Sequence, residues 1–174
     1  MSVHALVEVQ LERSSHPVRR SSVRYLDEMK GTPHAMTIHI ARTDADKLAC
    51  FPVLKELRTH LEKDEFLPQL RRLEAQDYQL AFVRDEGEVT AVAGFWVSEA
   101  FAYGKYMHVY DLVTGANARS KGHGAALIDF LKTLARDADC VQLHLDSGVQ
   151  RFEAHKFYLR EGFRIASHHF ALDL

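Results

Sequence analysis

The chain has 174 residues, of which 47% are hydrophobic and 26% are charged, and its formal net charge is −2. This length predicts about one domain, large enough to fold without disulfides or metals. The balanced charge argues against a dedicated nucleic-acid-binding protein, which usually carries a basic excess. The two cysteines, Cys50 and Cys140, are typical of a reducing compartment, so we expect a cytoplasmic location. No apolar run is long enough to cross a membrane.

The first 35 residues differ in pattern from the rest of the chain. Hydrophobic residues alternate over Met1–Leu11, which predicts a strand, and a polar loop rich in Ser and Arg follows. Two interpretations remain open: an accessory arm that adds an edge strand, or a dispensable leader. We favour the leader because a cleaner pattern begins at Met36, which divides the chain into residues 1–35 and a domain over residues 36–174.

From Met36 onward, hydrophobic periodicity predicts alternating strands and helices. The predicted strands are Thr37–Arg42, Tyr78–Arg84, Val89–Val97, Tyr106–Thr114, Val141–Asp146 and Phe163–Phe170. The predicted helices are one from Thr43 or Asp44 to about Leu61, interrupted or started late at Pro52, and then Asp64–Gln76, Gly122–Asp137 and Gln150–Arg160. The order β-α-α-β-β-β-α-β-α-β predicts one sheet with helices on both faces.

The segment with the most chemical content is RSKGHGA, residues 119–125, between a predicted strand and a predicted helix. Its two glycines remove side chains where the backbone enters the helix, so the first-turn N–H groups can point at a ligand. With the positive end of the helix dipole, these groups form an anion site suited to phosphate. Arg119 and Lys121 add positive charge, and His123 adds a partial charge. From these residues alone, a plain strand-to-helix turn remains the alternative.

Other phosphate-binding loops fit this segment less well. The P-loop pattern G-x-x-x-x-G-K-[ST] is absent, and the dinucleotide pattern G-x-G-x-x-G would need a glycine where Leu127 stands. A nucleotide-dependent enzyme is therefore a disfavoured interpretation.

The glycine segment and its surroundings resemble the Gcn5-related N-acetyltransferase (GNAT) family. The family signature R/Q-x-x-G-x-G/A is matched by Arg119, Gly122 and Gly124, and residues 111–114 resemble the family's fourth strand. Downstream, residues 154–163 resemble its A-x-x-x-Y-x-x-x-G-F motif. The resemblance implies an α/β fold of the α+β type: a mixed, mostly antiparallel sheet with helices on both faces and a splayed parallel strand pair.

The resemblance also implies an activity and a set of site residues. It implies an N-acyltransferase that moves acetyl from acetyl-CoA to a primary amine by direct attack in a ternary complex. Tyr158 would protonate the leaving thiolate, and the fourth strand would pair with the pantetheine arm like an added strand. The implied coenzyme-binding residues are Leu112, Val113, Thr114, Arg119, Ser120, Lys121, Gly122, His123, Gly124 and Ala125. Arg151 stands where many members have an asparagine, and it meets either an acidic group of coenzyme or substrate, or solvent.

Asp111 is a second candidate catalytic residue, because it is the only carboxylate in an apolar strand. A carboxylate in such a strand is costly without a partner. Three roles remain open for it: general base, anchor for the amine cation, or structural hydrogen-bond acceptor. His108 and His144, on neighbouring strands, are either proton relays or structural residues.

The eleven histidines show no metal-binding spacing, so no metal site is predicted. The expected partner is a small-molecule or peptide amine, with a homodimer left open and no nucleic acid or membrane. The alternative function is a non-catalytic acyl-CoA-binding or regulatory module on the same fold.

Overall fold

The computed structural model describes residues 36–174 and, before them, only the strands β1 (Glu8–Val9) and β2 (Val23–Tyr25). Most of the strand predicted over Met1–Leu11 therefore lies outside the described residues. β1 pairs antiparallel with β2, and β2 pairs antiparallel with the strand that begins at Met36. Both short strands thus extend the edge of the sheet.

The remaining elements follow the predicted order up to the last helix. The strands are β3 (Met36–Ile40), β4 (Gln79–Asp85), β5 (Glu88–Ala100), β6 (Gly104–Thr114) and β7 (Gln142–Leu145). The helices are α1 (Asp44–Leu57), α2 (Lys63–Glu74), α3 (His123–Asp137) and α4 (Phe152–Arg160). The described strands form one sheet in chain order, in which only β6 and β7 are parallel. The mixed, mostly antiparallel sheet is confirmed.

Each face of the sheet carries a hydrophobic core. α3 packs Leu127 and Phe130 on one face, whereas α1 and α2 cover the other face with residues such as Phe51 and Phe66. Because both faces are covered, β4 is apolar at successive positions instead of alternating with polar residues. The prediction of helices on both faces is confirmed. None of the helices in the described part of the chain is long and apolar enough to span a membrane.

Helix α1 begins where the sequence predicts. The hydroxyl of Thr43 accepts a hydrogen bond of 3.1 Å from the amide of Asp46, and the Asp46 carboxylate accepts one of 3.3 Å from the Thr43 amide. This reciprocal capping box satisfies two N–H groups that the helix itself leaves without partners.

The end of α1 corrects the prediction. Pro52 lies inside the helix, which neither breaks nor starts there, and the last helical residue is Leu57. Burial of Phe51 on one side of the proline holds that turn against the sheet. Leu61 is buried through a separate turn, in which its amide donates to the carbonyl of Arg58 over 3.0 Å. Hydrophobic residues therefore recur at helical spacing as far as Leu61, although the helix itself ends at Leu57. This recurrence made the predicted helix too long.

The strand predicted over Phe163–Phe170 is wrong, because residues 163–174 form neither strand nor helix. Ile165 and Phe170 are 78% and 90% exposed, so their apolar side chains do not pack on the sheet. Within the described part of the chain, β7 pairs with β6 alone.

A bulge in β6 bends the centre of the sheet. Asp111 pairs with Gly94, but the next pair joins Val109 to Phe95, so Tyr110 is an extra residue on β6. A bulge bends its strand and increases the local twist. The parallel pairing of β6 with β7 also ends at Val109. The two strands therefore separate beyond the bulge.

Candidate active site

A cleft of about 300 Å³ opens where β6 and β7 separate. The bulge, the turn after β7 and helix α4 form its walls. Its lining residues are Leu57, Arg58, Val109, Tyr110, Leu112, Leu145, Asp146, Ser147, Gly148, Gln150, Arg151 and Tyr158. The cleft thus contains the predicted Tyr158, together with polar groups from three other elements.

Tyr158 lies on α4, with its ring centre 5.5 Å from that of Phe157 and 5.9 Å from that of Phe163. Burial raises the pKa of the Tyr158 phenol above its ordinary value, and the positive charge of Arg151 partly opposes this shift. The phenol therefore keeps its proton at neutral pH. A protonated phenol in a cleft can donate a proton to a developing anion.

The glycine segment turns sharply into α3. Ser120 and Gly122 have φ values of 63° and 86°, a region that glycine adopts freely and serine adopts at a cost. Gly122 is the N-cap of α3 and has no side chain to accept hydrogen bonds from the first-turn amides. Arg119 and Lys121 are exposed beside these amides. The segment therefore has the composition and geometry of an anion site.

Gly124 brings this segment close to β6 and α4. A Cβ atom at this position would lie 3.3 Å from Oγ1 of Thr114 and 3.4 Å from Cζ of Phe157, the neighbour of Tyr158. The absence of a side chain at Gly124 therefore allows α3, β6 and α4 to approach one another. Ala125, the next residue, lies in the first turn of α3.

The ring of His123 points away from the exposed side of the glycine segment. Its side chain is only 4% exposed, and Nε2 lies 3.3 Å from Oδ2 of Asp85 at the end of β4. The imidazole therefore anchors the start of α3 to the sheet. The ring thus lies beneath the exposed surface of the segment.

Leu112, Val113 and Thr114 pair with β5 along one edge only. β7 has already separated from β6 at these positions, and Leu112 lines the cleft. This stretch of β6 therefore offers an edge to an extended ligand.

Asp111 does not line the cleft. Its Oδ1 lies 2.6 Å from Nε of Arg58, and its Oδ2 accepts a hydrogen bond of 2.5 Å from the hydroxyl of Tyr78. Burial, followed by the charge of Asp111, raises the pKa of Tyr78 well above its ordinary value. The carboxylate faces a second cavity of about 270 Å³ between α1, α2 and the sheet. Arg58 lines both cavities, and its Nη2 donates a hydrogen bond of 2.9 Å to the carbonyl of Tyr110.

Several polar residues of the cleft were not among the predicted site residues, and they include Arg58, Asp146 and Ser147. Asp146 and Ser147 directly follow a predicted strand, and that position could have indicated them. Oδ2 of Asp146 lies 3.4 Å from Nε2 of His108, and Oγ of Ser147 is buried without a hydrogen-bond partner. Arg58 gave no signal, because 53 residues separate it from Asp111.

No metal site is formed by the part of the chain that the structure describes: no three of its His, Cys, Asp and Glu side chains group suitably around one point. His144 instead contacts Oε1 of Gln142 through Nε2 at 2.6 Å.

Comparison with known proteins identifies the family. The model of the acetyltransferase (GNAT) family matches residues 35–163. A protein of Bacillus subtilis (strain 168), the uncharacterized N-acetyltransferase YhdJ, is 34% identical over 122 residues, which cover 69% of this chain and 86% of the relative.

Solved structures share the fold at low sequence identity. A transcriptional regulator from Bacillus halodurans C-125 has a TM-score of 0.71 and 19% identity, with 80% of this chain and 99% of that chain covered. The aminoglycoside N-acetyltransferase AAC(6')-Iy in complex with CoA also has a TM-score of 0.71, with 13% identity and coverage of 84% and 97%. The chain belongs to the acetyltransferase (GNAT) family.

Proposed function

We propose that this acetyltransferase transfers the acetyl group of acetyl-CoA to a primary amine by direct attack in a ternary complex. The observation that carries the proposal is the cleft between β6 and β7, which is lined by a protonated Tyr158 of α4. The glycine segment at the start of α3 packs against the same helix, because Gly124 lies beside Phe157. Family membership supports acetyl transfer in general. The two free thiols, Cys50 and Cys140, support a cytoplasmic location.

The residues present fit the coenzyme at three points. The open edge of Leu112–Thr114 suits the amides of a pantetheine arm, as in strand addition. The first-turn amides over Ser120–Ala125, with Arg119 and Lys121, suit a pyrophosphate. The hydroxyl of Ser147 is a buried polar group in the cleft that lacks a partner, and such a group favours a polar ligand.

Bound acetyl-CoA supplies the thioester that acylates the amine. The amine must be neutral to attack, so a base or water takes its proton. Burial is the main cause that lowers the pKa of His108, which is therefore neutral at pH 7 and able to accept a proton beside Asp146. Tyr158 holds the proton that the leaving thiolate requires.

For Asp111 we propose a positioning role. Its carboxylate already accepts hydrogen bonds from Arg58 and Tyr78, and it faces the second cavity rather than the cleft. Through these bonds it holds the guanidinium of Arg58 at the wall of the cleft.

The proposal is tested by calorimetric titration of coenzyme-free protein with acetyl-CoA, followed by assays of thiol release with a panel of primary amines. Replacement of Tyr158 by Phe should retain acetyl-CoA affinity but lower the rate by about 10²–10⁴-fold, the usual contribution of a general acid. Lack of binding at millimolar acetyl-CoA contradicts the proposal. Binding without thiol release for any amine supports the acyl-CoA-binding module instead.

A further inference from the structure

Six ring side chains form a continuous surface, five of them on one face of β5, β6 and β7 and one in the turn between β5 and β6, and we call this set the aromatic surface. Its members are Trp96, Tyr103, Tyr106, His108, Tyr110 and His144. The ring centres are 4.5 Å apart for Trp96 and Tyr110, 4.2 Å for Tyr110 and His108, 5.0 Å for Tyr106 and His144, and 4.7 Å for Tyr103 and His144. None of the six residues is fully buried, although Trp96 packs partly against the core that includes residues of α1 and α2. The other rings belong to neither hydrophobic core, so core packing does not account for the aromatic surface as a whole.

The strand register brings these rings together. Trp96 pairs with His108 across β5 and β6, and His108 pairs with His144 across β6 and β7. Along β6, the members of the aromatic surface alternate with the buried Met107 and Val109, which face α3. The extra residue of the bulge, Tyr110, extends the row to the cleft.

The aromatic surface is continuous with the proposed active site. Tyr110 lines the cleft together with Asp146 and Tyr158. The Asp146 carboxylate stands at the junction, 3.4 Å from Nε2 of His108 and 3.5 Å from Nδ1 of His169. A ligand on the rings can therefore extend a short arm past Asp146 towards the reacting centre.

The charges at this junction favour a ligand with a single positive charge. Of the described residues that line the cleft, Asp146 is the one acidic side chain, and Arg58 and Arg151 are the basic ones. Arg151 affects the pKa of Tyr158, whereas Asp146 affects the pKa values of His108 and His144 in the aromatic surface. The other nearby carboxylate, Asp111, is already paired with Arg58. His108 is neutral at pH 7, since burial lowers its pKa, and so it does not compensate the charge of Asp146. A polycationic amine would need several unpaired carboxylates at this junction, one to pair with each of its ammonium groups.

We propose that the aromatic surface and Asp146 form the acceptor site, and that the acceptor is an arylalkylamine: one ammonium group on a short chain that ends in an aromatic ring. The ring of the ligand packs on the aromatic surface, where edge and face contacts favour aromatic partners. Its ammonium binds Asp146 and lies close to the faces of the tyrosine rings, which also attract cations. This inference rests on the proposed function, because it names the amine for the same cleft.

Trp96 provides a direct readout of occupancy, because it is the only tryptophan in the 174 residues. The experiment is a titration of the intrinsic tryptophan fluorescence with 2-phenylethylamine, independent of any catalysis. The comparison ligands are 2-phenylethanol, which lacks the charge, and spermidine, which carries several charges and no ring. We expect a saturable change with 2-phenylethylamine and dissociation constants at least about tenfold higher for both comparison ligands.

Two variants and a control locate the site. Asp146→Asn removes the charge and Tyr110→Ala removes the ring next to the cleft; each should raise the dissociation constant of 2-phenylethylamine about tenfold or more. Phe101→Ala removes a fully exposed aromatic ring in the turn between β5 and β6, outside the aromatic surface, and should leave the dissociation constant unchanged.

The outcomes separate this inference from the proposed function. Saturable, Asp146-dependent binding of 2-phenylethylamine, with no thiol release from acetyl-CoA for this or any other primary amine, supports the amine-binding site and contradicts the proposed function. Acetylation of amines with no fluorescence response to 2-phenylethylamine, or with equal affinity in wild type and Asp146→Asn, overturns the acceptor site and leaves acetyl transfer standing. Tighter binding of spermidine than of 2-phenylethylamine also overturns it.

Discussion

The hydroxyl of Tyr78 lies 2.5 Å from Oδ2 of Asp111, in the space left by the missing side chain of Gly94. A Cβ atom on Gly94 would stand only 1.6 Å from that hydroxyl. Tyr78 directly precedes β4, and Asp111 lies on β6, so the hydrogen bond passes over the strand between them. This bond therefore ties the bulged part of β6 to the start of β4.

Replacement of Tyr78 by Phe should destabilise the fold. The substitution keeps the ring but removes one donor from a buried carboxylate, and such a loss costs about 1–3 kcal/mol. Urea denaturation followed by circular dichroism measures the difference in the free energy of unfolding. Tyr103→Phe is the control, because that residue is 41% exposed. Equal stabilities of the two variants would show that the bond to Asp111 contributes nothing.

Two Arg–Asp pairs of similar length should differ in importance. Arg58 lies 2.6 Å from Asp111, which is buried, whereas Arg71 lies 2.7 Å from Asp44, which is exposed. Arg58→Ala leaves a buried carboxylate without its cation and should cost about 1–3 kcal/mol, less than a fully buried pair because Arg58 is itself 44% exposed. Arg71→Ala should cost less than about 1 kcal/mol. Thermal and urea unfolding of both variants provide the measurement, and a larger loss in Arg71→Ala contradicts the expectation.

A comparison of Gly122 with Gly87 separates the loss of stability caused by the left-handed backbone from the loss of acetyl-CoA affinity. Both have a φ of 86°, and a Cβ atom on either would meet no other atom within 4 Å. Each substitution by Ala should therefore cost about 1–2 kcal/mol through the left-handed backbone alone. In Gly122→Ala the added methyl group stands at the proposed anion site, so acetyl-CoA affinity should also fall about tenfold. Calorimetry on both variants tests this, and an equal affinity in the two contradicts the assignment of the glycine segment.

Stability should fall in mildly acidic solution because of His108. Burial lowers its folded-state pKa below the ordinary 6.5, and His144 and His169 oppose its protonation, whereas Asp146 favours it. The unfolded chain therefore binds the proton more readily, so this stability is present above about pH 6.5 and is lost as the pH falls through the folded-state pKa. We expect Tm to fall between about pH 7.5 and pH 5.5, and to fall less in His108→Gln.

The control for this prediction is His168→Gln, which alters an exposed residue of the C-terminal segment. The pH dependence of its Tm should match that of the wild type. If the Tm of His108→Gln falls with decreasing pH as steeply as that of His168→Gln, protonation of His108 is not the cause of the acid destabilisation.

Local signals in the sequence predicted most of the fold. The N-cap candidates Thr43 and Asp44 located the start of α1, and the apolar periodicity located the strands from β3 to β7 within a few residues. The hydrophobic pattern gave a wrong strand over Phe163–Phe170, because apolar residues of this segment remain exposed and do not pack on the sheet. A period indicates which residues share a face but not whether a neighbour covers that face.

The backbone geometry of the glycine segment was predictable, because it depends on local sequence alone. Gly122 lies at the N-cap of α3, where the sequence predicts that a glycine removes the side chain from the turn into the helix. The environment of Asp111 was not predictable in this way. Its partners Arg58 and Tyr78 are 53 and 33 residues away along the chain, and only the folded sheet brings them together.

Helix α4 carries Tyr158, and its residues are at most partly buried, whereas α3 is fully buried along a whole face. Segments with little buried surface open at a lower free energy than the cores of the same protein. On heating, Tyr158, the proposed proton donor, should therefore leave its position while both cores of the sheet are still folded. Inactivation should then precede global unfolding, and a coenzyme bound against α4 should narrow the gap between the two temperatures.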